Sequence, residues 1–221
     1  MSRDTSPSTS PNPAQVTTGI RSVLSLASVY RFAQRAIGAE AFRETLAAEV
    51  LDVSEGDRIL DVGCGTADIL DHLPEVDYLG FDSSDRYVDA ARERFGGRGR
   101  FVTAAPTDVD DTFGDRTLVT AIGVLHHLDD ETAHEALELA VKALRPGGRF
   151  VSVDPTLTDG QHAVARFLIE RDRGQFVRTP EQMQLLFGDH FDDVSMEVRH
   201  DMLRTPYTHL IVRAGRSVPT G

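Results

Sequence analysis

The sequence predicts one α/β domain built on a mostly parallel sheet. Three observations predict it: short apolar runs alternate with helix-periodic stretches from residue 58 onward, a glycine-rich turn closes the first run, and 221 residues suit a single core. With 40% hydrophobic and 26% charged residues, the chain can bury that core without staples. One cysteine, Cys64, excludes an internal disulfide and a cysteine-rich zinc site. No apolar run approaches the roughly 20 residues of a membrane span, and the N-terminus lacks the charged-then-apolar order of a signal peptide. A soluble, cytoplasmic protein is expected.

Residues 1–14 are rich in Ser, Pro and Thr and read as a disordered tail. Residues 15–51 turn helical in two pieces broken near Gly38, the second carrying Phe42, Leu46, Ala47 and Val50 on one face. Residues 52–216 form the main domain, and 217–221 a second tail. Its strands are expected at 58–62, 77–81, 100–103, 116–122 and 148–153, with two longer ones, 191–199 and 205–213, adjacent enough to pair antiparallel. Helices fall near 131–144, where Pro146-Gly147-Gly148 stops the pattern, and near 160–170 and 180–187.

The strongest motif is Ile59-Leu-Asp-Val-Gly-Cys-Gly-Thr-Ala-Asp-Ile69. A strand ends at Val62, Gly63 and Gly65 permit a sharp turn, and a helix is expected near Thr66. A dinucleotide fingerprint needs a third glycine at residue 68, where a pyrophosphate meets bare backbone amides; this chain has Asp68, which tells against NAD and FAD.

The stretch resembles motif I of the class I S-adenosylmethionine-dependent methyltransferases, with Asp61, Gly63 and Gly65 in place and Ala67 at the usual third glycine. The likeness is to the small-molecule type, with motifs similar to those of ubiquinone/menaquinone methyltransferases. It extends through Gly80-Phe-Asp-Ser-Ser84, Ala121-Ile-Gly-Val-Leu-His-His-Leu-Asp129 and Leu144-Arg-Pro-Gly-Gly-Arg-Phe150, covering about residues 57–155 in order. It implies a Rossmann-like, seven-stranded sheet with the last strand inserted antiparallel, an N-terminal helical lid, and S-adenosylmethionine as cofactor with S-adenosylhomocysteine as product. The implied cofactor residues are Asp61, Gly63, Cys64, Gly65 and Asp68, Asp82 with Ser83 at the ribose, and Ile122 and Gly123 at the methionine end. The family's acid after the third strand is missing; Asp108 or backbone groups would have to hold the adenine.

His126 is expected to face the transfer site, with Glu170, Tyr207 and His209 as further candidates for catalytic proton transfer. His126 and His127 are adjacent and diverge on any regular backbone, so no metal is expected. The net charge of −12 and the absence of an Asn/Asp-Pro-Pro-Tyr/Phe segment after the fourth strand disfavour nucleic acid and favour a small acceptor. From Gly160 to Gly221 eight arginines balance eight acids, so the excess negative charge lies in residues 1–159. Arg171, Arg173, Arg178 and Arg204, with Tyr30, His126 and Tyr207, are the candidates for binding an acceptor that carries a phosphate, diphosphate or carboxylate, an isoprenyl diphosphate among them. The rival readings are an NAD(P)-dependent oxidoreductase and a protein that binds S-adenosylmethionine without methylating, as a cyclase or regulatory partner.

Overall fold

The computed structural model describes residues 38–106, 113–171 and 175–215. Tyr30 and Arg173, the N-terminal piece before Gly38, and Asp108 lie outside the described residues. In chain order the strands are β1 (Arg58–Val62), β2 (Asp77–Asp82), β3 (Gly99–Thr103), β4 (Arg116–Ile122), β5 (Leu144–Pro155), β6 (Asp193–Arg199) and β7 (His209–Gly215). The helices are α1 (Ala39–Thr45), continued by a π-turn over Leu46–Val50, α2 (Asp85–Phe95), α3 (Asp130–Ala143), α4 (Ala163–Glu170) and α5 (Pro180–Gly188).

The seven strands lie in the order β3-β2-β1-β4-β5-β7-β6. Parallel pairs join β3 through β5, while β7 runs antiparallel between β5 and β6. This is the sheet that the sequence resemblance implied. Alternate residues of β1 and β4 face opposite layers, so both strands are continuous apolar runs. Leu60, Val62, Val119 and Ala121 pack with α3 and α5 through Leu137, Ala140, Met183 and Phe187. Ile59 and Leu118 pack the other way, on Leu46, Val50, Val88 and Ala91.

Helix starts follow local chemistry. Asp129 caps α3 by accepting from the Thr132 N–H (2.9 Å), and α5 opens with a Thr179/Gln182 capping box and Pro180 in its first turn. The helix expected at Thr66 is instead a single 3₁₀ segment, Asp68–His72. Fourteen residues separate Val62 from Asp77, and Pro74 closes the stretch, which leaves no room for several α-turns between two loops. The hairpin strands also shift from expectation, with β7 starting at His209 because the chain through Pro206 takes no part in the ladder.

Strand order reverses between β1 and β4. In open α/β sheets the ligand crevice lies outside the carboxyl ends of the strands at such a switch. The glycine turn after β1 and Gly123 after β4 both open there.

Candidate active site

The turn after β1 is shaped by two glycines. Gly63 and Gly65 have φ of +68° and +54°. A Cβ on Gly63 would lie 2.6 Å from Val124 Cγ2, whereas one on Gly65 would meet nothing within 4 Å. The first glycine is therefore needed for packing against the turn after β4, and the second leaves a bare backbone face open to a ligand. Ala67 stands where the family has its third glycine and adopts the left-handed region at φ +53°, 1% exposed. That conformation costs an alanine about 1 kcal/mol, offset in part by burial of its methyl group in the α1/α2 layer.

Asp82 ends β2 beside this turn. Its Oδ2 accepts from the Gly65 N–H (3.0 Å) and its Oδ1 from the Ser84 N–H (2.8 Å), so the carboxylate is fixed in orientation while lone pairs remain for two hydroxyls. Ser83 is exposed next to it. Asp61 lies one layer lower, 6% exposed, with Oδ1 accepting from Thr120 Oγ1 (2.7 Å) and Oδ2 from the Tyr78 hydroxyl. Both oxygens are engaged inside the protein, so Asp61 ties β1 to β2 and β4 beneath the turn rather than reaching the crevice. Burial pushes its carboxyl up to about 6, opposed by those two hydrogen bonds and assisted by the charge of Asp82. Cys64 packs against Gly80, where a Cβ would lie 2.8 Å from its sulfur, and burial with the nearby carboxylates raises its thiol, keeping it protonated.

Asp68 is occupied by partners within the protein. It pairs with Arg43 (2.9 Å) and Arg94 (2.6 Å) and accepts from Thr66 Oγ1 (3.0 Å). The turn thus offers a pyrophosphate neither an α-helix N-terminus nor spare cationic groups. Two carboxylates, one buried and one at the rim, suit a ligand carrying positive charge and hydroxyls. The residues present fit an adenosyl sulfonium, with Gly63–Gly65 backbone, Asp82 and the Ile122–Gly123 turn as the groups that would hold it.

The turn after β4 carries His126, the residue expected to face the transfer site. Gly123 has φ +68°, its N–H donates to Val153 O (2.8 Å), and Leu125–His127 form a 3₁₀ turn. His126 is 6% exposed, and its Nδ1 lies 2.8 Å from Asp154 Oδ1, which also accepts from the His126 backbone N–H (3.2 Å). Asp154, at the end of β5, was not singled out in the sequence, although a carboxylate closing the apolar run Phe150-Val-Ser-Val-Asp154 is the kind of signal that marks it. A carboxylate on Nδ1 favours the tautomer with the proton there and leaves the lone pair on Nε2. His127 is exposed, its ring 4.0 Å from that of His126.

His209, at the start of β7, lies between the rings of Phe42 (5.1 Å) and Tyr207 (5.0 Å). Burial, with a smaller contribution from the charge of His126, lowers its imidazole to about 4. It is therefore neutral at pH 7, with Nδ1 lacking a partner among the described residues. Because the unfolded chain binds a proton from about pH 6.5 downward and the folded chain does not, stability is fully present above pH 6.5 and is lost as the pH falls toward 4, by roughly 3 kcal/mol. Urea unfolding across this range should show that slope in the wild type and a flatter one in His209→Phe; equal slopes would remove the assignment.

The expected arginine cluster does not assemble among the described residues. Arg171 is exposed over the ring of Phe167 (4.0 Å), and Glu170 is an exposed partner of Arg166. Arg178 is buried, with its donors occupied by backbone carbonyls and Asp130. It lines a cleft of about 410 Å³ beside Asp130 and His134, while Arg204 lines a separate one of about 420 Å³ together with Asp159, His162, His200 and Tyr207. Tyr207 connects that cleft to His209, which is near enough to His126 to feel its charge. No helix among the described residues is long and apolar enough to cross a membrane.

A family model described as a methyltransferase domain matches residues 60–150. The chain is 33% identical over 130 residues to the O-methyltransferase cnsE of Penicillium expansum, covering 52% of this chain and 45% of that one. It is 31% identical over 104 residues to a tRNA (carboxymethyluridine(34)-5-O)-methyltransferase of Arabidopsis thaliana, covering 47% and 25%. The chain thus spans less than half the length of these curated relatives. Among solved structures, the S-adenosylmethionine-dependent methyltransferase SibL in its apo form superposes with a TM-score of 0.69 at 19% identity, covering 88% of this chain and 60% of that one.

Proposed function

We propose that the chain is a class I S-adenosylmethionine-dependent methyltransferase, a reading supported by its matched core and its sheet order, and that it methylates a hydroxyl of a small acceptor anchored by one anionic group. The observation that carries this reading is the buried pair of His126 and Asp154, 2.8 Å apart at the crevice. When bound, the cofactor supplies a methyl group on a sulfonium that becomes a neutral thioether as the methyl leaves. The chain's own groups do the rest. His126 accepts the hydroxyl proton at Nε2 as the new carbon–oxygen bond forms, and Asp154 stabilises the resulting imidazolium through Nδ1–H. A neutral His209 adds a polar edge without placing a second cation beside the sulfonium.

Arg204 is exposed and lines the cleft, with no ion pair or hydrogen bond of its side chain among the described residues, so a single carboxylate or phosphate on the acceptor is the anchor that fits it. A diphosphate would call on Arg171 and Arg178 as well, and these point elsewhere. The His126–Asp154 pair also favours chemistry over cofactor binding alone, and the ion-paired Asp68 disfavours a nicotinamide dinucleotide.

Incubation of the protein with S-adenosylmethionine and a panel of hydroxy acids and phosphorylated alcohols tests this. The expected result is S-adenosylhomocysteine together with an acceptor heavier by one methyl group. Methyl esters of the same acceptors should react at least about tenfold more slowly, the loss of one charge-assisted hydrogen bond. Equal rates for acid and ester would contradict the anionic anchor.

A further inference from the structure

We propose that Arg178 is a positioning residue that fixes the His126 turn, acting through the segment that precedes α5. The inference rests on the reading of His126 as the base. All five N–H groups of Arg178 have acceptors. Nη1 donates to Leu125 O (2.8 Å) and, at 3.5 Å, to Phe176 O. Nη2 donates to Leu128 O (2.9 Å) and Asp130 Oδ1 (2.7 Å), and Nε to Asp130 Oδ1 (3.2 Å). The Phe176 N–H donates to His126 O (3.0 Å). Residues 176–178 therefore satisfy the carbonyls of Leu125, His126 and Leu128. The far side of the segment is held too, since Thr156 Oγ1, just beyond Asp154, donates to Arg178 O (2.9 Å).

The turn needs this support. Leu125–His127 is one 3₁₀ turn whose own closures are His127 N–H to Val124 O (2.9 Å) and Leu128 N–H to Leu125 O (3.2 Å). A lone turn of that kind is marginal. Asp130 is 85% exposed at its side chain, so its ion pair with Arg178 contributes little. The contacts that decide are the guanidinium bonds to carbonyls, since the arginine side chain is 8% exposed and losing it would strand acceptors away from water. A lysine cannot replace it, because its single ammonium cannot span Leu125 O and Leu128 O with a planar fork.

The test reads the imidazole itself. Long-range proton–nitrogen spectra of the full chain, with the His126 signals identified from their absence in His126→Gln, report tautomer and titration. The wild type should show a single Nδ1–H tautomer when neutral. Arg178→Lys should show mixed tautomers and a midpoint moved by at least about half a pH unit, with S-adenosylmethionine affinity within about twofold. Phe176→Pro, which deletes one N–H at a partly exposed site, should give the same change in weaker form and serves if the arginine variant does not fold. Folded variants with the wild-type tautomer and midpoint would overturn the proposal. A shifted tautomer beside an undiminished rate in His126→Gln would leave the positioning role standing and remove the base.

Discussion

His126→Gln is expected to lower methyl transfer by roughly 10²–10⁴-fold, the usual contribution of a positioned general base. In activation energy that is about 3–5 kcal/mol. The glutamine keeps an amide N–H able to bond Asp154, so the turn should hold, but it has no lone pair of comparable basicity to receive a proton. Cofactor affinity should stay within about threefold, because the groups that fit the cofactor, Gly63–Gly65, Asp82 and the Ile122–Gly123 backbone, do not include the His126 side chain. Asp154→Ala should slow transfer in the same direction by removing the acceptor 2.8 Å from Nδ1. The check is a single-turnover assay at saturating cofactor. A rate unchanged in His126→Gln would assign the proton to another group or the acceptor to a nucleophile that carries none.

Asp82→Ala is expected to weaken S-adenosylmethionine binding by about 10–100-fold, the loss of one or two hydrogen bonds to a charged acceptor. The carboxylate is held by two backbone N–H groups, from Gly65 and Ser84, so little ordering is needed when a ribose arrives. The same bond anchors the glycine turn, and part of the effect should come from that turn loosening. Calorimetric titration measures it, and an affinity equal to the wild type would take Asp82 out of the site.

The geometry of the proposed cofactor half of the crevice was legible because its determinants are local. A strand, two glycines and a carboxylate 21 residues after Asp61 lie within one stretch of chain, and the parallel pairing of β1 with β2 brings them together in the order read. The proposed proton-transfer half was legible only in part. His126 sits in the recognised segment, but Asp154 is 28 residues further on, and its importance comes from burial against a neighbouring strand end. Arg178 shows the opposite error. Arginines close in sequence suggest an anion site, yet spacing alone does not say whether a guanidinium meets solvent or backbone carbonyls. Here the loop before α5 bonds the His126 turn, and backbone carbonyls together with Asp130 take every donor. Asp68, expected among the cofactor residues, is instead ion-paired with Arg43 and Arg94, an arrangement that depends on α1 and α2 converging on one short turn.

The central claim is that the glycine turn and Asp82 receive a cationic adenosyl compound. The wild-type arm of the calorimetric titration tests it most directly, with S-adenosylmethionine in one syringe and NADH in the other. One equivalent of S-adenosylmethionine should bind with micromolar affinity, and NADH should give no heat beyond dilution. Saturable binding of NADH together with none of S-adenosylmethionine would contradict the account.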